Sequence, residues 1–189
     1  MAQSPHVLPN HNTHLSLSFD SIADRVRGAI TLHRRIITGI AADRRATFEA
    51  GIVVALVGLA TAIGDRDALS TGIVNALLGW VMVTGAVWYL SGHMLGTPTF
   101  RAEFQPLLRT IGYALAPVAL GVVGFVWVLG PMVSGVGTMW AFLATIAAVR
   151  YTTHFSWGRS FALTLAAGIV VAIVGWMLAM TVGLDPHIW

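Results

Sequence analysis

The chain has 189 residues, of which 56% are hydrophobic and 10% charged, and a formal net charge of +3. Together with a mean hydropathy of +0.76, this excludes a polar disordered chain and a soluble α/β domain, which interleaves polar residues at strand or helix period. All 11 basic residues are arginine and cysteine is absent, so disulfides, thiolate metal sites and thiol redox motifs are ruled out.

Residues 1–18 contain Pro5, Pro9, Asn10 and Asn12 with little to bury, and are expected to form a disordered tail. His6, His11 and His14 are read as part of that polar tail rather than as metal ligands. Residues 19–46 differ, because Ile22, Val26, Ile30, Ile37 and Ile40 recur at helical spacing while Arg25, Arg27, Arg34 and Arg35 lie mostly elsewhere on the wheel. This predicts one cytoplasmic amphipathic helix, opened by a capping box at Ser21 and Asp24 and weakened at Gly28 and Gly39. Two placements suit it. In one, Arg25, Arg27, Arg34 and Arg35 meet anionic headgroups while Ile30, Ile37 and Ile40 enter the bilayer surface; in the other, the helix packs under the membrane bundle as a lead-in.

Five apolar stretches follow, roughly Phe48 to Ile63, Gly72 to Gly92, Ile111 to Leu129, Met132 to Val149 and Phe161 to Val182. At an α-helical rise they cover ~24 to 33 Å, against a hydrocarbon core of ~30 Å. The expected fold class is an all-α integral membrane protein, a five-transmembrane-helix bundle over residues 47–183 with a short outer tail at 184–189. Arg25, Arg27, Arg34, Arg35, Arg44, Arg45, Arg101, Arg109, Arg150 and Arg159 all fall in segments on one side of the alternation, and only Arg66 falls on the other. Because cytoplasmic loops collect arginine, the N-terminus is expected inside and the C-terminus outside. The arginines are thus consumed by topology, and a pI of about 10.2 gives no nucleic-acid signal.

Small residues line one face of the first stretch, at Gly51, Ala55, Gly58 and Ala62, and one face of the last, at Gly168, Ala172, Gly175 and Ala179. Such faces let backbones approach closely where lipid removes the hydrophobic incentive to associate. No charge is expected deep inside a span, which argues against a proton relay or ion pump. Asn75 is expected near the outer boundary in an interfacial or interhelical hydrogen bond, with Thr84 and Thr145 as milder polar positions. Pro117 removes a donor for the carbonyl of Tyr113 and predicts a kink.

The run Gly96-Thr97-Pro98-Thr99-Phe100-Arg101, then Phe104, then Leu107-Leu108-Arg109-Thr110-Ile111-Gly112-Tyr113-Ala114 and Pro117, resembles the core signature of the Yip-domain family of multispanning membrane proteins. Ala148, Arg150, His154, Ser156, Arg159 and Ala162 resemble its recurrent segment between the fourth and fifth spans. The resemblance covers roughly Ile22 to Met180. It implies a five-helix bundle with a cytoplasmic N-terminus; eukaryotic members bind prenylated Rab-type GTPases and act in vesicle trafficking. The N-terminal region here lacks the acidic Asp-Leu-Tyr-Gly type motif of that branch, and the all-arginine, alanine-rich composition points to a bacterial member.

No Gly-x-Ser-x-Gly elbow, Walker loop or dinucleotide fingerprint is present, and Ser91 and Ser156 have no paired acid, so no enzyme is expected. The expected function is a non-enzymatic scaffold, organiser or adaptor in the bacterial inner membrane, with Arg101, Arg109, Arg150 and Arg159 contacting a membrane-protein partner. Two alternatives stand beside it. One is a small transporter or permease component with Pro117 and Asn75 near its path. The other is a haem-binding subunit of a redox complex in which His93 and His154 ligate a haem or a metal; no cofactor is expected under the main reading.

Overall fold

The computed structural model describes residues 19–66, 68–93, 103–126 and 129–182. The expected tails at 1–18 and 184–189, including His6, His11 and His14, and the motif residues Gly96 to Arg101 lie outside them. The described residues form α1 (Phe19–Ile30), α2 (Arg34–Ala42), α3 (Ala46–Asp65), α4 (Leu69–His93), α5 (Phe104–Ala114), a 3-10 helix (Ala116–Phe125), α6 (Leu129–Thr153) and α7 (Trp157–Val182). Five spans are long and apolar enough to cross a membrane, the third made of α5 and the 3-10 helix together.

The third span breaks rather than bends. Leu115 still donates its N–H to the Ile111 carbonyl at 3.1 Å, but Val118 donates to Leu115 at 2.9 Å, so the chain tightens around Pro117, which has no N–H to give. This span also begins at Phe104 instead of Ile111. Gln105 and Arg109 made the preceding turns read as a loop, yet the structure hides Arg109 inside the protein.

Where one amphipathic helix was expected, there are two. The chain turns at Thr31-Leu32-His33, with Leu32 in the left-handed region at φ 57, and α1 and α2 form a hairpin. Gly28 marks their crossing, since a side chain there would run into Ile36. The helix starts at Phe19, so Ser21 lies within α1 and not at its cap.

The hairpin packs on the bundle. Ile37 and Ile40 are each only 2% exposed, and Ile40 joins a core of Val53, Val54, Trp80, Leu107, Ile111 and Tyr113. The turn reaches well along the spans: Trp140, near the middle of α6, donates its indole N–H to the Ile30 carbonyl at 2.9 Å. Leu32 packs beside Ala114, Ala144 and Ala148.

Among the spans, α3 is central and packs on α4, α5 and the 3-10 helix, while α7 packs chiefly on α4 and α6. The small face of α3 is used as expected: a side chain at Gly58 would meet the Gly72 backbone and come within 2.8 Å of the Ala76 Cβ. The small face of α7 is not used within the chain, because Gly168 and Gly175 have open space around them. Trp80 ties α4 to α5 by donating its indole N–H to the Leu108 carbonyl at 2.8 Å.

Candidate functional site

One end of the bundle gathers the start of α3, the start of α5, the hairpin and the α6–α7 turn. A charged cluster lies there around one buried carboxylate. Glu49, in the first turn of α3, is 8% exposed. Its Oε2 accepts from Arg25 Nη1 of α1 at 3.0 Å and from the Tyr113 hydroxyl of α5 at 2.7 Å. The other amino group of Arg25, Nη2, donates to Asp43 Oδ2 at 2.6 Å. A buried carboxylate is tolerated when its charge is matched and its lone pairs are met; Arg25 supplies the opposite charge, and Arg25 and Tyr113 together donate to Oε2. The first-turn position adds a favourable helix dipole.

The ionisation of the outer pair follows from the same contacts. Burial works against the Arg25 charge, but the Asp43 hydrogen bond and the Glu49 charge outweigh it and hold the guanidinium above its ordinary range. The Arg25 hydrogen bond, with help from the Arg45 backbone N–H, lowers the Asp43 carboxyl below the usual carboxylate value. In effect the cluster clamps the hairpin, the α2–α3 link, α3 and α5 to one another.

A second guanidinium lies nearby. Arg109 of α5 is 4% exposed, and each of its three nitrogens donates within the chain: Nε to Thr47 Oγ1 at 2.7 Å, Nη1 to the Ala41 carbonyl at 2.9 Å and Nη2 to Gln105 Oε1 at 2.9 Å. It borders a cleft of about 650 Å³ between α2, α5 and the α6–α7 turn.

The residues expected at a partner surface therefore divide. Arg109 does not face outward; the structure corrects that expectation, because the hairpin covers it and supplies the Ala41 carbonyl. Arg150 is half-buried with its guanidinium 4.5 Å from the centre of the Trp157 ring, a cation–π contact that holds it against the start of α7. Arg159 is exposed, and Arg101 lies outside the described residues.

The residues expected at the lipid surface divide as well. Arg27, Arg34 and Arg35 are exposed, whereas Arg25 is paired inward and Ile37 and Ile40 are core. Ile30 is half-buried at the hairpin tip. His154 is exposed with φ 56 and borders the cleft, and the side chain of His93 lies outside the described residues. Among the described residues, no group of three or more His, Cys, Asp or Glu side chains could hold a metal ion.

The cluster's carboxylates and Tyr113 were not recognised as a site from sequence. Glu49 was the available signal, a lone carboxylate two residues into the first apolar stretch with no assigned partner. At mid-span, Thr84 and Thr145 are buried and donate to Trp80 and Ala141 carbonyls of their own helices, each at 2.8 Å. Asn75 borders a mostly apolar crevice of about 430 Å³ between α3, α4 and the 3-10 helix, with Asp65 at its edge.

No curated protein and no solved structure matches the chain. A family model does: the Yip1 domain matches residues 34–179, from the start of α2 into the last turn of α7. The chain is a multispanning membrane protein that belongs to the Yip1 domain family.

Proposed function

We propose that this protein is a non-enzymatic scaffold or adaptor of the bacterial inner membrane, with its N-terminus cytoplasmic and its C-terminus outside. In this reading the arginine-rich end recruits a membrane-protein partner through Arg150, Arg159 and Arg101. The observation that carries it is the distribution of polar groups. Alternating access usually draws on a midplane site of polar side chains or unwound backbone; the third span does break at Pro117, but Thr84 and Thr145 donate to carbonyls of their own helices, while the Glu49 cluster, the buried Arg109 and the exposed Arg159 sit at one end. Arg109 serves here by fixing α5 against the hairpin, so that the start of α5 and the α6–α7 turn keep their spacing.

The crevice beside Asn75 is the feature that favours a transporter. Its lining is otherwise mostly apolar, which suits packing against lipid chains better than passage of a polar solute. The two readings separate by mutation. Replacing Arg150 and Arg159 with glutamine is expected to abolish capture of a stoichiometric partner from native membranes while the protein still inserts. Thr84→Val with Thr145→Val is expected to leave capture and cellular phenotype intact. If the threonine pair destroys the phenotype and the arginine pair is silent, the transporter reading replaces this one.

A further inference from the structure

The half-buried Arg25 and the buried Arg109 are treated differently. Arg25 faces two carboxylates, at 2.6 and 3.0 Å. Arg109 is more deeply buried, yet its three hydrogen-bond partners are a hydroxyl, a side-chain amide and a backbone carbonyl, all neutral. Among the described residues no carboxylate forms an ion pair with it. A guanidinium has five N–H groups, so one hydrogen on Nη1 and one on Nη2 remain beyond those three bonds. A buried cation without a counter-charge is costly, and this one borders open space.

That space is the cleft of about 650 Å³, within the range of small-ligand sites, ~300 to 1,000 Å³. Arg44 and Glu103 also line it, as do Tyr151, Thr152 and His154. Two guanidiniums against one carboxylate leave one net positive charge. The cleft lies between the first turns of the third span, which starts at Phe104, and the last turn of the fourth, which ends at Thr153. That is the depth at which a phospholipid carries its phosphate, whichever side of the membrane this end faces.

We propose that the cleft is a binding site for the phosphodiester of an anionic phospholipid, whose single negative charge completes the coordination of Arg109 and is met at the rim by Arg44. The planar guanidinium suits two phosphate oxygens at once. The site differs from diffuse attraction of headgroups to the exposed arginines of α1 and α2, because it depends on one buried residue and holds one lipid. It stands whether or not the protein is a scaffold.

The full-length chain, purified in neutral detergent and stripped of lipid, would be offered phosphatidylglycerol, phosphatidylcholine or inorganic phosphate. Bound lipid is counted by native mass spectrometry. The expected result is one phosphatidylglycerol per chain, held about tenfold or more tightly than phosphatidylcholine, a gap of about 1.4 kcal/mol, and not displaced by equimolar inorganic phosphate. Arg109→Gln should abolish the stoichiometric lipid. Because that variant disturbs a buried residue, the exposed Arg44→Gln serves as the second probe and should weaken binding several-fold with melting in lipid-free detergent unchanged. Arg66→Gln, at the opposite end of α3, should bind as wild type. Equal losses in Arg44→Gln and Arg66→Gln would show only diffuse surface attraction and overturn the site. Displacement of the lipid by inorganic phosphate would reassign the cleft to a soluble phosphate compound. Equal retention of phosphatidylcholine would overturn the anionic assignment.

Discussion

At the scale of single residues, the cluster around Glu49 decides how the hairpin is attached. Two donors, Arg25 Nη1 and the Tyr113 hydroxyl, converge on one oxygen, Glu49 Oε2, so removing the acceptor and removing either donor are not independent events. Glu49→Ala leaves the buried Tyr113 hydroxyl without its acceptor and the half-buried Arg25 with Asp43 alone, and is expected to cost about 1 to 3 kcal/mol. Tyr113→Phe removes one hydrogen bond to a charged group and is expected to cost about 1.5 to 3 kcal/mol. In the double variant the hydrogen bond of Tyr113 has no acceptor left to lose, so the combined loss should fall short of the sum. Thermal or denaturant unfolding in detergent measures all three, and strict additivity would show that the two residues act separately. Little of this was legible in the sequence. A single carboxylate barely lowers the hydropathy of an apolar stretch, and its partners lie 24 and 64 residues away, beyond any local periodicity. Arg25 was expected to meet anionic headgroups and Arg109 a partner, because a sequence shows residue type but not the carbonyl or carboxylate that the fold brings to it.

Elements were more legible than sites, with instructive exceptions. The periodic apolar face from Ile22 to Ile40 continues through the α1–α2 turn because Ile30 and Ile37 are seven residues apart, two helical turns, so the pattern registers no break. Gly28 carried the missing information. It was read as a weak point of one helix, whereas its lack of a side chain allows Ile36 to pack against it across the hairpin. Pro117 was expected to kink the third span, and there the span changes from α to 3-10 helix. The small-residue faces of α3 and α7 looked equivalent, but α3 is surrounded by neighbours and α7 lies at the edge. The difference gives a test of packing by element. Gly58→Leu must push α4 away from α3, since backbone and not a flexible side chain occupies the space, and should cost about 1 to 3 kcal/mol as overpacking. Gly168→Leu on α7 meets open space and should leave melting in detergent nearly unchanged. Equal destabilisation by the two would mean that α7 has a packing partner outside this chain, such as a second copy.

For the whole molecule, the number of spans was the most legible property, because each apolar stretch must cross a fixed thickness of hydrocarbon and arginine marks where it stops. All five expected crossings are present by length and composition. The ends moved where polar residues are satisfied internally: the third span extends back to Phe104 because Arg109 bonds to Gln105 and to the hairpin, so residues that hydropathy counts as loop enter the helix. Orientation is a separate property and rests on energetics. An arginine at the centre of a crossing helix costs about 2.5 to 3.5 kcal/mol on insertion scales, and loops rich in arginine are retained on the cytoplasmic side. Ten of the 11 arginines fall on one side of the alternation, whereas the link between α3 and α4 carries only Arg66. The chain has no native thiol, so single cysteines report cleanly. Ala68→Cys, exposed between α3 and α4, should react with a membrane-impermeant maleimide in intact cells. Ser156→Cys, exposed in the α6–α7 turn, should react only after the membrane is opened. The reverse pattern would place the arginine-rich end outside, and with it the surface of Arg150 and Arg159 proposed to meet a membrane-protein partner on the cytoplasmic side. Labelling of both sites in intact cells would instead show that the chain inserts in two orientations, as a weak arginine asymmetry allows and this strong one should forbid.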